Sequence, residues 1–231
     1  GDDHDGRDRS RYIVSNGSTH AFWCSCSMKI LRATLTFALA AMMISAATAN
    51  GPPPPTLLWS DDVVTNDIAV SKNDQYVAVA SLTAQGDGQI RFYSRSSGTP
   101  LWTWLAEDHV FSVAISANGD YLAAGSEFGY VYYWANARTR ALDADPTWVS
   151  DSLGRQIMRR CLDISDDGNY VVAATGGIVA LTLYYWADAR NRVDGGQDYT
   201  WRLGEGVSFT SLDMSSDGDA VAVGYAGEGE G

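Results

Sequence analysis

Ser112-Val-Ala-Ile-Ser-Ala-Asn-Gly-Asp-Tyr-Leu-Ala-Ala-Gly125 decides the fold, because the chain repeats this phrase in four versions. The others are Asp67-Ile-Ala-Val-Ser-Lys-Asn-Asp-Gln-Tyr-Val-Ala-Val-Ala80, Cys161-Leu-Asp-Ile-Ser-Asp-Asp-Gly-Asn-Tyr-Val-Val-Ala-Ala174 and Ser211-Leu-Asp-Met-Ser-Ser-Asp-Gly-Asp-Ala-Val-Ala-Val-Gly224. Their serines, Ser71, Ser116, Ser165 and Ser215, stand 45, 49 and 50 residues apart. Each phrase holds two short apolar runs around a polar tip. Asn118-Gly119, Asp167-Gly168 and Asp217-Gly218 at three of the tips tolerate positive φ and signal hairpins.

Working outward, each hairpin is followed by an aromatic run: Ile90-Arg-Phe-Tyr93, Val131-Tyr-Tyr-Trp134 and Leu183-Tyr-Tyr-Trp186. A tryptophan-bearing run comes next, at Leu101-Trp-Thr-Trp104, Thr147-Trp-Val149 and Thr200-Trp-Arg-Leu203. Four short antiparallel strands at this period make an all-β chain of the β-propeller type, one four-stranded blade per repeat. The blades fall at about 67–104, 112–149 and 161–202, with two strands of a fourth at 211–224, so about three and a half blades lie within residues 57–226. Leu57-Leu-Trp-Ser60 reads as a further short strand, the outermost of whichever blade closes the ring. The count implies a C-terminally truncated piece of a parent with about seven blades. The alanines of the inner strands, such as Ala78, Ala114, Ala123 and Ala173, suit the narrow centre of a wedge-shaped blade.

The N-terminal part reads differently. Met28-Lys-Ile-Leu-Arg32, an apolar run to Ile44 and Ala47-Thr-Ala49 have the three regions of a secretory signal peptide over residues 28–49. Cleavage before Asn50 predicts a secreted, periplasmic or cell-surface protein with no stable membrane span. Residues 1–27 then form an upstream, non-native or disordered segment, 50–56 a proline-rich lead-in, and 227–231 a Gly/Glu tail. From residue 50 onward there are 24 acids and 11 bases, a net charge of −13. Such a surface repels phosphate backbones and argues against nucleic acid as partner. Cys161 is the one cysteine after residue 49, so no disulfide forms within that part.

The phrase at 113–125 resembles the inner hairpin of WD-repeat propellers. Tyr93-Ser-Arg-Ser-Ser-Gly98-Thr-Pro-Leu-Trp102 is similar to the docking turn of quinoprotein-type propellers that use pyrroloquinoline quinone (PQQ). The Gly-His pair and Trp-Asp ending of WD repeats are missing, so their hydrogen-bond tetrad is not carried over. Ala135-Asn-Ala-Arg138 and Ala187-Asp-Ala-Arg190 depart from the docking turn. The WD resemblance implies a non-catalytic scaffold that binds a protein or ligand. The quinoprotein resemblance implies a fragment of a PQQ-dependent dehydrogenase, which needs a quinone pocket, calcium ligands and a catalytic Asp.

No catalytic, cofactor-binding or metal-binding residue stands out. His109, beside Asp108, is the one histidine after residue 49, and no nucleophile elbow accompanies it. Asp166-Asp-Gly-Asn169 and Ser216-Asp-Gly-Asp219 have calcium-loop composition without the spaced oxygens and closing glutamate. Asp163 and Asp213 hold one equivalent position on the first strands of neighbouring repeats, where Ala69 and Ala114 stand earlier. They are candidates to face a central channel; the competing reading ties each to a turn hydroxyl or to a base such as Arg159 or Arg160. Tyr132, Tyr133, Tyr184 and Tyr185 suit a sugar face or, more simply, packing between blades.

Overall fold

Each of the first three repeats folds into an antiparallel meander. The computed structural model describes residues 57–227 except 143–144, 177–180 and 205–206, together with Val14–Ser15. The proposed signal segment 28–49, the lead-in 50–56 and tail residues 228–231 lie outside the described residues. Strand β1 (Val14–Ser15) pairs in parallel with β2 (Ser60–Asp61). Blade one comprises β3 (Val64–Val70), β4 (Tyr76–Leu82), β5 (Gly88–Ser94) and β6 (Trp102–Leu105). Blade two comprises β7 (Val110–Ile115), β8 (Leu122–Ser126), β9 (Val131–Trp134) and β10 (Trp148–Val149). Blade three comprises β11 (Ile157–Ile164), β12 (Val171–Thr175), β13 (Leu181–Trp186) and β14 (Tyr199–Gly204). The fourth sheet has β15 (Val207–Met214) and β16 (Val221–Gly227). The first strands β3, β7, β11 and β15 lie side by side, which makes them the inner strands of a partial β-propeller.

The shared serine is now explained. Ser116 Oγ accepts the Tyr121 N–H at 3.0 Å and donates to Asn118 Oδ1 at 3.1 Å. Ser71, Ser165 and Ser215 make the same pair of bonds across their own tips. The tips are four-residue loops, in which the glycine alone takes positive φ: 79° at Gly119, 75° at Gly168 and 81° at Gly218. Asp74 takes that place in blade one, at 58°. Each of these glycines also touches the preceding blade. A Cβ on Gly119 would sit 2.8 Å from Tyr76 Cγ, and one on Gly218 would sit 2.5 Å from Tyr170 Cγ. Positive φ and close approach together demand glycine.

Packing between blades is aromatic. Ala78, Ala123, Ala124, Ala173 and Ala174 are fully buried on the second strands, which lets blades approach there. Farther out, Trp102 stacks on Phe92 at 5.2 Å and meets Trp134 of the next blade at 5.9 Å. Its indole Nε1 donates to the Ala137 carbonyl of that blade at 2.6 Å. Trp148 repeats this one blade on, meeting Trp186 at 6.2 Å and donating to the Ala189 carbonyl at 2.9 Å. Tyr133 and Tyr132 are buried and serve packing.

The stretch read as an outer strand at 57–60 is different. Leu57–Trp59 carry no strand, and only Ser60–Asp61 pair. Trp59 nevertheless takes the seat that Trp102 and Trp148 hold elsewhere. It stacks on Tyr93 at 5.0 Å, and its Nε1 donates to the Arg95 carbonyl at 2.9 Å. Asp61 fastens the segment by accepting from Tyr93 Oη at 2.5 Å and Arg91 Nη1 at 2.9 Å. Among the described residues no helix is long and apolar enough to cross a membrane.

Candidate functional site

One irregularity recurs on the inner strands. Pairing slips between Thr65 and Asp67, Val110 and Ser112, and Phe209 and Ser211, and over a longer stretch between Ile157 and Leu162. A bulge drops a residue from the ladder and re-aims its side chain. Asn66, Phe111 and Thr210 are the bulged residues, and Arg160 stands at the equivalent place with φ 60°. Met158, Arg159, Arg160 and Thr210 are exposed. Arg159 Nη2 donates to Asn66 Oδ1 at 2.9 Å, joining blade three to blade one, and Asn66 Nδ2 donates to the Val110 carbonyl at 2.8 Å. One end of the inner strands thus carries polar, basic and apolar side chains from four repeats. The bulges left no trace in residue type: Asn, Phe, Arg and Thr share no chemistry, and only structural superposition of the repeats reveals them.

Asp163 and Asp213 lie three residues beyond Arg160 and Thr210 and close to each other across the seam between blade three and the fourth sheet. Asp163 is half-buried; Asp213 is exposed. Backbone amides hold Asp163, rather than a turn hydroxyl or an arginine. Oδ2 accepts the Met214 N–H at 2.7 Å and Oδ1 the Ile164 N–H at 2.8 Å. Asp67, which sequence reading left without a role, does the same between blades one and two. Its Oδ2 accepts the Val113 N–H at 3.1 Å and the Ser112 hydroxyl at 3.2 Å. The two carboxylates differ by two register positions, so aligning the repeats hides their common task.

Burial pushes the Asp163 carboxyl up to about 6, against the pull of its two amide bonds, and the Asp213 charge adds to the rise. A carboxyl whose value rises on folding favours the folded chain while protonated. That stabilisation is complete below the unfolded value near 3.8 and is lost as pH rises through about 6. The melting temperature of the wild type relative to Asp163→Asn should therefore rise as pH falls from 7 to about 5. Carboxyl-detected NMR should find a midpoint of about 6; a midpoint near 4 would contradict the burial.

The other candidates resolve into structural roles. Asp108 is buried and accepts from the Phe128 N–H at 2.8 Å and from Tyr132 Oη at 3.2 Å. It holds a loop and does not orient His109, whose Nδ1 faces Glu127 Oε2 at 3.2 Å near the surface. Asp167 and Asp217 accept their own serine hydroxyls and the amides of Asn169 and Asp219, which is turn chemistry. Among the described residues no three His, Cys, Asp or Glu side chains are grouped to hold a metal. Cys161 is 1% exposed, and burial pushes its thiol up to about 11. Iodoacetamide should alkylate it only after denaturation, as peptide mass mapping would show; labelling of the native protein at the rate of a free thiol would refute this.

Residues 98–134, from the turn before β6 through β9, match the family "WD domain, G-beta repeat". The Gly98–Trp102 turn lies inside that matched stretch. The WD40 repeats of RRP9, a crystal structure, are similar with a TM-score of 0.53 and 18% identity, over 69% of this chain and 44% of that one. The structure of U3-55K gives 0.53 and 17%, over 69% and 45%. This likeness is one of fold, and the chain spans less than half the length of either structure. No curated protein matches the sequence.

Proposed function

We propose that this partial propeller of WD-repeat type is a non-catalytic binding scaffold acting outside the cell or at its surface. Its partner is a protein or ligand seated on the bulged end of the inner strands. One observation carries the reading: three repeats bulge at the same register, blade three slips over a longer stretch that spans the same place, and dissimilar residues stand there at one end. Surfaces built this way suit recognition, because the ladders stay rigid while the side chains vary. Arg159 and Arg160 make that end locally basic on a chain with net charge −13 after residue 49, which favours an acidic contact on the partner. The secretory pattern of residues 28–49 supports the location.

The test uses the full chain expressed with an affinity tag in a secreting host. N-terminal sequencing of protein from the medium should begin at Asn50; retention inside the cell overturns the location. Cross-linking mass spectrometry against the host's surface fraction should join a partner to residues near Arg159 and Arg160. That link should disappear in an Arg159→Ala/Arg160→Ala variant and survive in Arg155→Ala. If no cross-link depends on the arginine pair, the bulged end is not the binding site.

A further inference from the structure

Blade one presents a second tryptophan that the repeated indole bond does not use. Trp102 faces Phe92 and donates to the next blade, whereas Trp104 stands opposite Ile90. Blade three has Trp201 at that place, and blade two has Ser150, whose amide donates to the Val131 carbonyl and whose hydroxyl accepts the Val131 N–H. Trp104 is half-buried and forms one wall of a groove of about 400 Å³ on the outer side of the seam between blades one and two. Tyr132 meets Trp104 at 4.8 Å with the rings tilted by 58°. Tyr130 lies 6.2 Å from Tyr132, and Val149 extends the apolar lining. That volume falls within the roughly 300–1,000 Å³ of ligand pockets.

Two carboxylates, Glu107 and Asp145, also line this groove. Both residues are exposed, and neither carboxylate has a hydrogen bond or ion pair among the described residues. Arg140 attracts Asp145, but its guanidinium bonds neutral oxygens: the Ala135 and Asp145 carbonyls and the Thr147 hydroxyl. The Tyr132 hydroxyl donates to the buried Asp108 carboxylate at 3.2 Å, which places a third negative charge near the rings. Ring faces and carboxylates are both negative, so this lining favours a cation. Elsewhere the chain fills such a lining with arginine. Arg138 pairs with the Asp120 carboxylate and lies 5.9 Å over Tyr76. Arg190 lies 5.9 Å over Tyr121 and 3.7 Å from the Asp167 carboxylate. The groove at Trp104 has the rings and the carboxylates, and no base is among its described lining residues.

We infer that this groove binds an arginine side chain of a partner protein. The guanidinium stacks on the aromatic wall at Trp104 and Tyr130, and its N–H groups donate to Glu107 and Asp145. A planar, weakly hydrated guanidinium makes both kinds of contact at once, whereas an ammonium must shed tightly held water and has no face to stack. The walls come from blades one and two, each of four strands. Trp104, Tyr132 and Val149 stand on third and fourth strands, while the bulges stand on first strands. The groove is thus separate from the bulged end, and the inference does not depend on what binds there.

The probe is the capped peptide acetyl-Gly-Ser-Arg-Ser-Gly-amide, titrated into the full chain and followed by NMR. The indole N–H of Trp104, assigned by its loss in Trp104→Leu, should shift with saturation. The same peptide with citrulline, which keeps the shape and loses the charge, should bind about tenfold more weakly. The lysine peptide should also bind more weakly, by about threefold. Trp104→Leu should weaken the arginine peptide about fivefold. Glu107→Gln, at an exposed position where the fold is not at risk, should weaken it about threefold, while Asp194→Asn in blade three should leave it unchanged. The inference is overturned if the Trp104 indole does not shift, or if citrulline or lysine binds as tightly as arginine. It is also overturned if Glu107→Gln binds the arginine peptide like the wild type.

Discussion

Trp102→Ala should strongly lower the unfolding free energy of the chain. The side chain is fully buried, sits between Phe92 and Trp134, and donates to the Ala137 carbonyl. Truncating a buried tryptophan costs about 3–5 kcal/mol, a large part of the roughly 5–15 kcal/mol that holds a domain folded. Trp102→Phe separates the contributions. It keeps most of the stacking and leaves the Ala137 carbonyl unmet, at a cost of about 1–3 kcal/mol. Trp201→Ala provides the contrast, since this tryptophan, opposite Leu183 on the outer strand of blade three, is 45% exposed. Its cost should stay within about 1 kcal/mol. Denaturant unfolding of the three variants gives the comparison; equal costs for Trp102→Ala and Trp201→Ala would mean that the inter-blade indole contacts do not hold the fold.

The second large effect is expected at Gly168→Ala. At φ 75° an alanine costs about 1–2 kcal/mol from backbone strain alone. Its Cβ would also overlap Tyr121, including the Tyr121 Cβ at 2.5 Å, which rotation of the ring cannot move aside. Overpacking of this kind adds about 1–3 kcal/mol. Gly86→Ala isolates the strain, because Gly86 has φ 94° and no atom within 4 Å of an added Cβ. The double variant Gly168→Ala/Tyr121→Ala should lose less than the sum of its parts, and strict additivity would show that the contact is not the cause.

The strands were legible because they obey local rules: apolar runs, Gly-bearing tips and aromatics at a fixed period. What lay beyond local rules was less so. The glycines read as turn formers also serve as contact points for Tyr76, Tyr121 and Tyr170, and nothing in a hairpin signal reports what lies across a seam. Ala135-Asn-Ala-Arg138 and Ala187-Asp-Ala-Arg190 looked like failures of a docking turn. They form a turn of their own, with Asn136 at φ 56° and Asp188 at φ 52°, followed by an arginine set over a neighbour's tyrosine. The signal was present in the repeated Ala-x-Ala-Arg spacing and needed the seam to give it meaning. The pairing of Asp163 with Asp213 across adjacent inner strands was readable from alignment of the repeats. The backbone amides that hold Asp163 were not, because an amide belongs to every residue alike.

The indole bonds have a consequence for how such a chain can grow. Blades one and two each carry an acceptor carbonyl for the tryptophan behind them and a tryptophan for the carbonyl ahead. A tandem copy of either period therefore restores one donor for every acceptor. Duplication of some 45–50 residues adds a blade without mismatching its neighbours. Loss of a period is equally neutral to the seams that remain. Blade number in this architecture is then set by closure of the ring, because the seams themselves impose no count.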